Sequence, residues 1–77
     1  MPPLRFCLLN EGVYRVLTAQ DEHVGNLKRI NGLWKFKAIG YTAQGELIPG
    51  GGPLTGRHNI SFASFDEVLI STGLTQT

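Results

Sequence analysis

Apolar and polar residues alternate in four short runs of this chain, at residues 5–9, 13–18, 24–30 and 33–40. Alternation with a period of two is typical of strands that bury one face, and turn-forming residues separate successive runs. The sequence therefore predicts four antiparallel strands that follow one another along the chain, which is a β-meander.

The dipeptide Asn31-Gly32 is the strongest local signal. Both residues tolerate the positive φ angles of the primed turns that match the twist of a hairpin. Because a two-residue loop fixes the register of its strands, we expect Ile30 opposite Leu33. The pairs that follow are Arg29 with Trp34, Lys28 with Lys35, Leu27 with Phe36, and Asn26 with Lys37.

The first two runs are joined by Asn10-Glu11-Gly12, which suits a three-residue hairpin loop with glycine in the left-handed region. That loop would place Leu9 opposite Val13. A middle register that brings the apolar sets of both hairpins to the same side of the sheet is also expected. It pairs Val16 with Gly25 and Tyr14 with Leu27.

This register sorts the side chains onto two faces. The predicted core face carries Phe6, Leu8, Tyr14, Val16, Leu27, Trp34, Phe36 and Ala38. The opposite face, which we call the basic face, receives five of the seven basic side chains, namely Arg5, Arg15, Lys28, Lys35 and Lys37. No predicted strand contributes an acidic residue to it. By alternation, the basic face also receives the apolar residues Leu9, Val13, Leu17, Val24, Ile30, Leu33 and Ile39.

A C-terminal helix over residues 65–72 is predicted to cover the core face. Ser64 and Glu67 have the spacing of a capping box, and Gly73 followed by Leu74 indicates a Schellman ending. The predicted inward stripe consists of Phe65, Val68, Leu69 and Thr72. The β-branched residues of this segment leave a strand as the alternative.

The predicted fold class is therefore α+β. It is a four-stranded antiparallel β-meander with one C-terminal α-helix packed on the apolar face, in a single small domain of residues 1–77. Residues 60–62 alternate as a short fifth strand or an extended lead-in to the helix would.

A long loop rich in glycine and proline spans residues 42–58. From Gly51 to His58 it reads G-x-x-x-x-G-R-H, close to the phosphate-binding P-loop. We reject that function, because Arg57 and His58 replace the lysine and the hydroxyl residue, and no helical pattern follows. A looser anion site formed by Gly51, Gly52, Gly56 and Arg57 stays open beside the alternative of a packed or flexible loop.

Catalytic chemistry has few candidates in this sequence. Cys7 is the single cysteine, and His23 and His58 lack the spacing of a metal site. The adjacent acids Asp66 and Glu67 are explained by helix capping. We therefore predict no enzyme activity, no metal and no cofactor.

Composition sets the broad class of the protein. Hydrophobic residues make up 42% of the 77 residues, which is enough for a packed core, and the formal net charge is only +1. A lone cysteine cannot form an internal disulfide, and no apolar leader or membrane-spanning run is present. The expected location is the cytoplasm, with no membrane partner.

Two classes of function follow from the basic face. Its apolar residues favour a small interaction module that binds another protein or forms a homodimer. The alternative is nucleic-acid binding, in which Arg5, Arg15, Lys28, Lys35 and Lys37 contact phosphates. The low net charge and the assignment of Trp34 and Phe36 to the core, which leaves no exposed aromatic for stacking, count against that alternative. The face needs no partner if the loop of residues 42–58 covers it.

Overall fold

The computed structural model describes residues 4–75 and shows an antiparallel sheet with one C-terminal helix. The strands follow the chain as β1 (Arg5–Asn10), β2 (Val13–Leu17), β3 (His23–Ile30), β4 (Leu33–Tyr41) and β5 (Leu47–Pro49). A 3-10 helix (Thr55–Arg57), β6 (Ser61–Phe62) and α1 (Glu67–Thr75) complete the order. The α+β meander predicted from the sequence is confirmed, with β5 as an additional strand.

Strand β4 organises the second half of the chain. It pairs with β3 along one edge, while β5 and β6 share its other edge. Trp34 lies opposite Phe62 near the beginning of β4, and Ile39 lies opposite Pro49 near its end. The loop of residues 42–58 therefore extends the sheet sideways, and does not lie over the basic face as one sequence hypothesis required.

The register predicted for the β3–β4 hairpin is confirmed at every pair from Ile30 opposite Leu33 to Asn26 opposite Lys37. Asn31 and Gly32 have φ angles of 52° and 78°, as a primed turn requires. The middle register is also confirmed. It pairs Tyr14 with Leu27 and Val16 with Gly25.

The β1–β2 turn differs from its prediction. Asn10, rather than Leu9, lies opposite Val13, and the register shifts by one residue between Leu8 and Asn10. Gly12 adopts a φ of 83°, so Glu11 and Gly12 make a tighter turn than the expected three-residue loop. Leu9 is consequently the extra residue of a β-bulge.

A second bulge corrects the assignment of Val24 to the basic face. Leu17 lies opposite His23, which leaves Val24 as the extra residue of β3. Val24 is only 1% exposed and joins the core cluster together with Leu4 and Leu54. Alternation fails here because a bulge changes which face the next side chain occupies.

The core lies between the sheet and α1. Phe36 and Leu27 are completely buried, and Ile70 and Leu74 of the helix pack in the same cluster. Gly25 permits this packing, since a Cβ at that position would lie 2.4 Å from the ring of Phe36. The remaining members are Leu4, Val16, Val24, Ala38 and Leu54. Leu8, which was predicted to belong to the core, is 65% exposed on the outer strand.

The helix begins two residues later than predicted, and Asp66 caps it. The Oδ1 atom of Asp66 accepts hydrogen bonds from the backbone N–H groups of Val68 and Leu69, each at 3.1 Å. The predicted capping box is therefore wrong. Of the predicted inward stripe only Phe65 packs against the core, since Val68 and Leu69 face solvent and Ile70 and Leu74 face the core.

The helix also continues through Gly73, where a Schellman ending was expected. A Cβ at Gly73 would lie 2.8 Å from the ring of Phe62, so glycine lets this ring approach the helix. Within residues 4–75, no helix has the length and apolar character needed to cross a membrane.

Phe65 precedes the helix but still contributes to the core through three aromatic neighbours. Its ring stacks on Tyr14 at a centroid distance of 4.2 Å, and it meets Trp34 and Phe6 edge to face at 5.1 and 5.8 Å. Such contacts stabilise beyond the area that they bury. Phe65 therefore fixes the entry of the helix over β1, β2 and β4.

Candidate functional site

Two rows of side chains cross the middle of the basic face. The first row takes one residue from each of β1 to β4, in the order Cys7, Arg15, Asn26 and Lys37. The second row contains Val13, Lys28, Lys35 and Ser61 from β2, β3, β4 and β6. Lys28 faces Lys35, Lys37 lies two residues from Lys35 on β4, and Arg15 is the diagonal neighbour of Lys28, so four cations are grouped across β2, β3 and β4. We call Arg15, Lys28, Lys35 and Lys37 the cation cluster.

Arg5, the fifth predicted site residue, lies at the border of this cluster. It is opposite Leu17 at the end of the sheet that carries the β2–β3 turn, and its guanidinium forms an ion pair with Asp21 of that turn. Both side chains are largely exposed, so the pair adds little to stability. Arg5 is therefore already partly neutralised.

The cation cluster itself has no acidic neighbour. The ion pair of Arg5 with Asp21 lies outside the cluster, and within residues 4–75 none of the four cluster cations forms an ion pair. Lys37 donates a hydrogen bond from Nζ to Oδ1 of Asn59 at 2.6 Å, which leaves its charge uncompensated. Lys28 faces Lys35 directly, so their repulsion is relieved only by solvent and counterions.

The acidic residues lie around the cluster rather than in it. They are Glu11 in the β1–β2 turn, Asp21 and Glu22 in the β2–β3 turn, Glu46 between β4 and β5, and Asp66 and Glu67 at the start of α1. Positive charge is thus concentrated on one face although the net charge is only +1. Such segregation attracts anions locally even when the whole protein is nearly neutral.

An exposed aromatic side chain lies on the same face, contrary to the expectation that none would. Strand β4 runs one residue further than predicted, to Tyr41, whose position alternates with those of Lys35 and Lys37. The ring of Tyr41 is 50% exposed. Extending the alternation past Gly40 would have identified it from the sequence.

His23 holds this tyrosine. Its Nδ1 lies 3.1 Å from the Tyr41 hydroxyl, and its Nε2 lies 2.9 Å from Oδ1 of Asn26. Because Oδ1 of Asn26 is an acceptor, Nε2 donates this hydrogen bond, and the contact of Nδ1 with Tyr41 links the histidine to the tyrosine. Tyr41, His23 and Asn26 are therefore linked on the basic face.

The exposed apolar area of the basic face is smaller than alternation predicted. Leu17 and Ile39 are buried, in addition to the displaced Val24. Ile30 and Leu33 are exposed on this face at the end that carries the two hairpin turns, and Leu47, which faces Tyr41, is exposed at the other end. The cation cluster thus lies between two exposed apolar pairs, Ile30 with Leu33 and Tyr41 with Leu47.

The residues of the predicted anion loop lie beyond β5. The N–H of Gly51 donates to the carbonyl of Ile48 at 3.1 Å, so this donor is already used within the chain. Gly56 and Arg57 lie in the 3-10 helix, and Gly52 packs against the backbone of Gly40. Anion binding by this loop stays a prediction.

His58 and Cys7 occupy structural positions. The Nδ1 of His58 accepts a hydrogen bond from the backbone N–H of Ala38 at 3.1 Å, at the edge of β4 between β5 and β6. Cys7 is half-buried opposite Arg15. Across residues 4–75, no group of three or more His, Cys, Asp or Glu side chains is placed to hold a metal ion.

Comparisons with family models, curated proteins and solved structures found no match to this chain.

Proposed function

We propose that the protein binds single-stranded nucleic acid through the basic face. The observation that carries this proposal is the cation cluster, in which Lys28, Lys35 and Lys37 are neighbours, Arg15 lies diagonally from Lys28, and none of the four has an acidic partner. Phosphate groups would relieve the repulsion within the cluster and release counterions, which is the usual source of affinity for nucleic acids. Asn26, which lies between Arg15 and Lys37 in the first row, adds a polar group that can reach a sugar or phosphate.

The breadth of the sheet supports a single strand as the ligand. The outer strands of a four-stranded sheet lie about 14 Å apart at a spacing of about 4.8 Å, whereas the major groove of DNA is about 12 Å wide. The basic face as a whole is therefore too broad to enter the groove. A single strand can lie across the face, with a base stacked on the exposed ring of Tyr41.

An acidic protein is the second candidate ligand, and one observation favours it. Ile30 and Leu33 form an exposed apolar pair beside the cation cluster, as a protein interface would need. Lysine, however, is depleted in protein interfaces, and three of the four cluster cations are lysines. Pairing of this face with itself would also oppose lysine to lysine. A nucleic-acid ligand fits the cytoplasmic location that we expect from the lone Cys7.

Fluorescence anisotropy with a labelled single strand of mixed sequence tests the proposal. With three or four phosphates contacted, the logarithm of the binding constant should fall with the logarithm of salt concentration at a slope of about −2 to −3. A duplex of the same sequence and polyglutamate are measured in parallel. Stronger binding of polyglutamate would support the acidic protein and contradict the proposal, and stronger binding of the duplex would contradict the single-strand assignment.

Neighbouring residues of β3 supply a matched pair of variants. Lys28→Glu and Arg29→Glu make the same change of charge, but these side chains lie on opposite faces of the sheet. We expect Lys28→Glu to weaken binding and to reduce the salt slope by about 0.7, the value for one phosphate contact on a single strand. Equal losses in both variants would show that overall charge, rather than the basic face, controls binding.

A further inference from the structure

The outer edge of β1 carries backbone groups that pair with no strand among residues 4–75. The carbonyl of Gly12 accepts a hydrogen bond from the N–H of Arg29 in β3. Backbone groups alternate in direction along a strand, so those of Tyr14 also point to β3, whereas those of Arg15 point to β1. Cys7, opposite Arg15, therefore directs its N–H and C=O inward to β2. By the same alternation, Phe6 and Leu8 direct theirs outward.

The opposite edge of the sheet is protected. There, β5 is three residues long and contains Pro49, and β6 is two residues long. Short strands and proline prevent pairing at an edge. The β1 edge has neither proline nor lysine, and its bulge is confined to the turn end at Leu9. The segment from Arg5 to Leu8 is therefore a regular, open edge.

Exposed apolar side chains lie beside this edge on the core side of the sheet. Leu8 projects from β1 and is 65% exposed, and Val68 of α1 is 75% exposed. The Oγ of Ser71 accepts the backbone N–H of Leu4, so the side of the helix that bears Ser71 lies near the start of β1. Val68, three residues earlier in the helix, lies on that same side.

We propose that a second copy of this chain pairs with the β1 edge in antiparallel orientation. The two-fold axis would stand perpendicular to the sheet, so that both core faces lie on one side and both basic faces on the other. Residues that face each other across an antiparallel pair point to the same side of the sheet. Even-numbered residues of β1 in one copy must therefore face even-numbered residues in the other. The exposed side chains of Leu8 and Val68 then approach the axis from both copies.

The register of the proposed dimer follows from which N–H and C=O groups of β1 have no partner within the chain. Centring the axis on Cys7 places Phe6 opposite Leu8 of the second copy, so every outward N–H and C=O of these two residues finds a partner. Centring it on Phe6 would need the N–H of Leu4, which already bonds Ser71. Centring it on Leu8 would need Asn10, which pairs with Val13. The Cys7-centred register is the one that satisfies both open residues.

This dimer does not depend on the proposed ligand, and it is tested without nucleic acid. Sedimentation equilibrium should show a dimer, and amide exchange should report the edge. In the dimer, we expect slow exchange at Phe6 and Leu8, which becomes fast on dilution, whereas Cys7 stays protected in both states. A monomer at every concentration, or a dimer in which Phe6 and Leu8 exchange rapidly, would overturn the proposal. A sheet edge that serves another protein would give the monomer result.

Variants at the two edges provide the control. Leu8→Lys places a charge at the β1 edge and should raise the dissociation constant at least about tenfold, because lysine is a common block to edge pairing. Leu47→Lys makes the same change at the exposed β5 edge and should leave the dimer intact. Dissociation by Leu47→Lys and not by Leu8→Lys would place the interface at the β5 edge and contradict the proposal.

The register has its own readout. Facing residues of a non-hydrogen-bonded antiparallel pair have Cα atoms about 4.5 Å apart, within the range of a disulfide. Diamide, a thiol oxidant, should therefore link the wild-type protein through Cys7 into a covalent dimer, and should not link the Leu8→Lys variant. Equal linking of both proteins would reflect random collision and contradict the register.

Discussion

Lys28 lies directly opposite Lys35 in the β3–β4 hairpin, in a hydrogen-bonded pair at the centre of the basic face. Like charges in this position destabilise a sheet. The tight Asn31-Gly32 turn fixes the register, so the two ammonium groups cannot separate by a slip of the strands. The arrangement therefore costs stability, and an anionic ligand would offset that cost.

The first prediction concerns stability. Lys35→Glu replaces a repulsive pair by an attractive one, so we expect the free energy of unfolding to rise by about 0.2–1 kcal/mol. Urea unfolding at low salt measures the change, and Lys35→Gln should give a smaller gain. The same Lys35→Glu variant should bind nucleic acid more weakly. A gain that persists unchanged at about 1 M salt would not be electrostatic in origin.

The second prediction concerns Tyr41. Tyr41→Ala removes the exposed ring and should weaken binding of a single strand by about 1–3 kcal/mol, the usual value of one stacked base. Tyr41→Phe keeps the ring and loses only the contact to His23, so its affinity should stay within a few-fold of wild type. Anisotropy titrations of both variants decide the question, and equal losses would mean that the hydroxyl, rather than stacking, matters.

The third prediction concerns Gly25. A Cβ at this position would lie 2.4 Å from the ring of Phe36 and 2.8 Å from the carbonyl of Lys37. We expect Gly25→Ala to destabilise the fold by about 1–3 kcal/mol, because a buried ring must move in a packed core. Gly56→Ala is the control, since no atom lies within 4 Å of its added Cβ. Chemical denaturation should separate the two variants clearly.

The fourth prediction distinguishes two capping residues. Asp66→Ala removes the acceptor of two backbone N–H groups and should cost about 0.5–2 kcal/mol. Ser64→Ala should change the free energy of unfolding by less than about 0.5 kcal/mol, because Ser64 lies in the exposed segment before the cap. A larger loss in Ser64→Ala than in Asp66→Ala would mean that Ser64 caps the helix, as the sequence pattern predicted.

Strand pairing was predictable where a local turn determines it. Asn31 and Gly32 specify a primed turn by their own conformational preferences, and the pairs of β3 with β4 follow by counting. The cation cluster was predictable for the same reason, since parity alone places Lys28 and Lys35 on one face. The exposed Tyr41 was missed only because the predicted strand ended at Gly40.

The bulges, by contrast, were not predictable from alternation. Val24 turns into the core because Leu4 and Leu54 pack there, and Leu54 is separated from Val24 by 30 positions in the chain. The helix stripe was wrong for a related reason. Ile70 and Leu74 face the sheet because Phe65 anchors the entry of the helix on Tyr14, a contact that no local pattern reveals.

Strand β4 pairs with β3 on one side and with both β5 and β6 on the other, so it limits where a residue can be inserted into the chain. One residue inserted within β4, between Phe36 and Lys37, would shift the pairing with β3 and β5 and exchange the faces of the residues that follow. An insertion in the turn at residues 42–46 would disturb only the short β5. Evolution and protein engineering therefore have freedom in the turn that follows this strand and almost none within the strand.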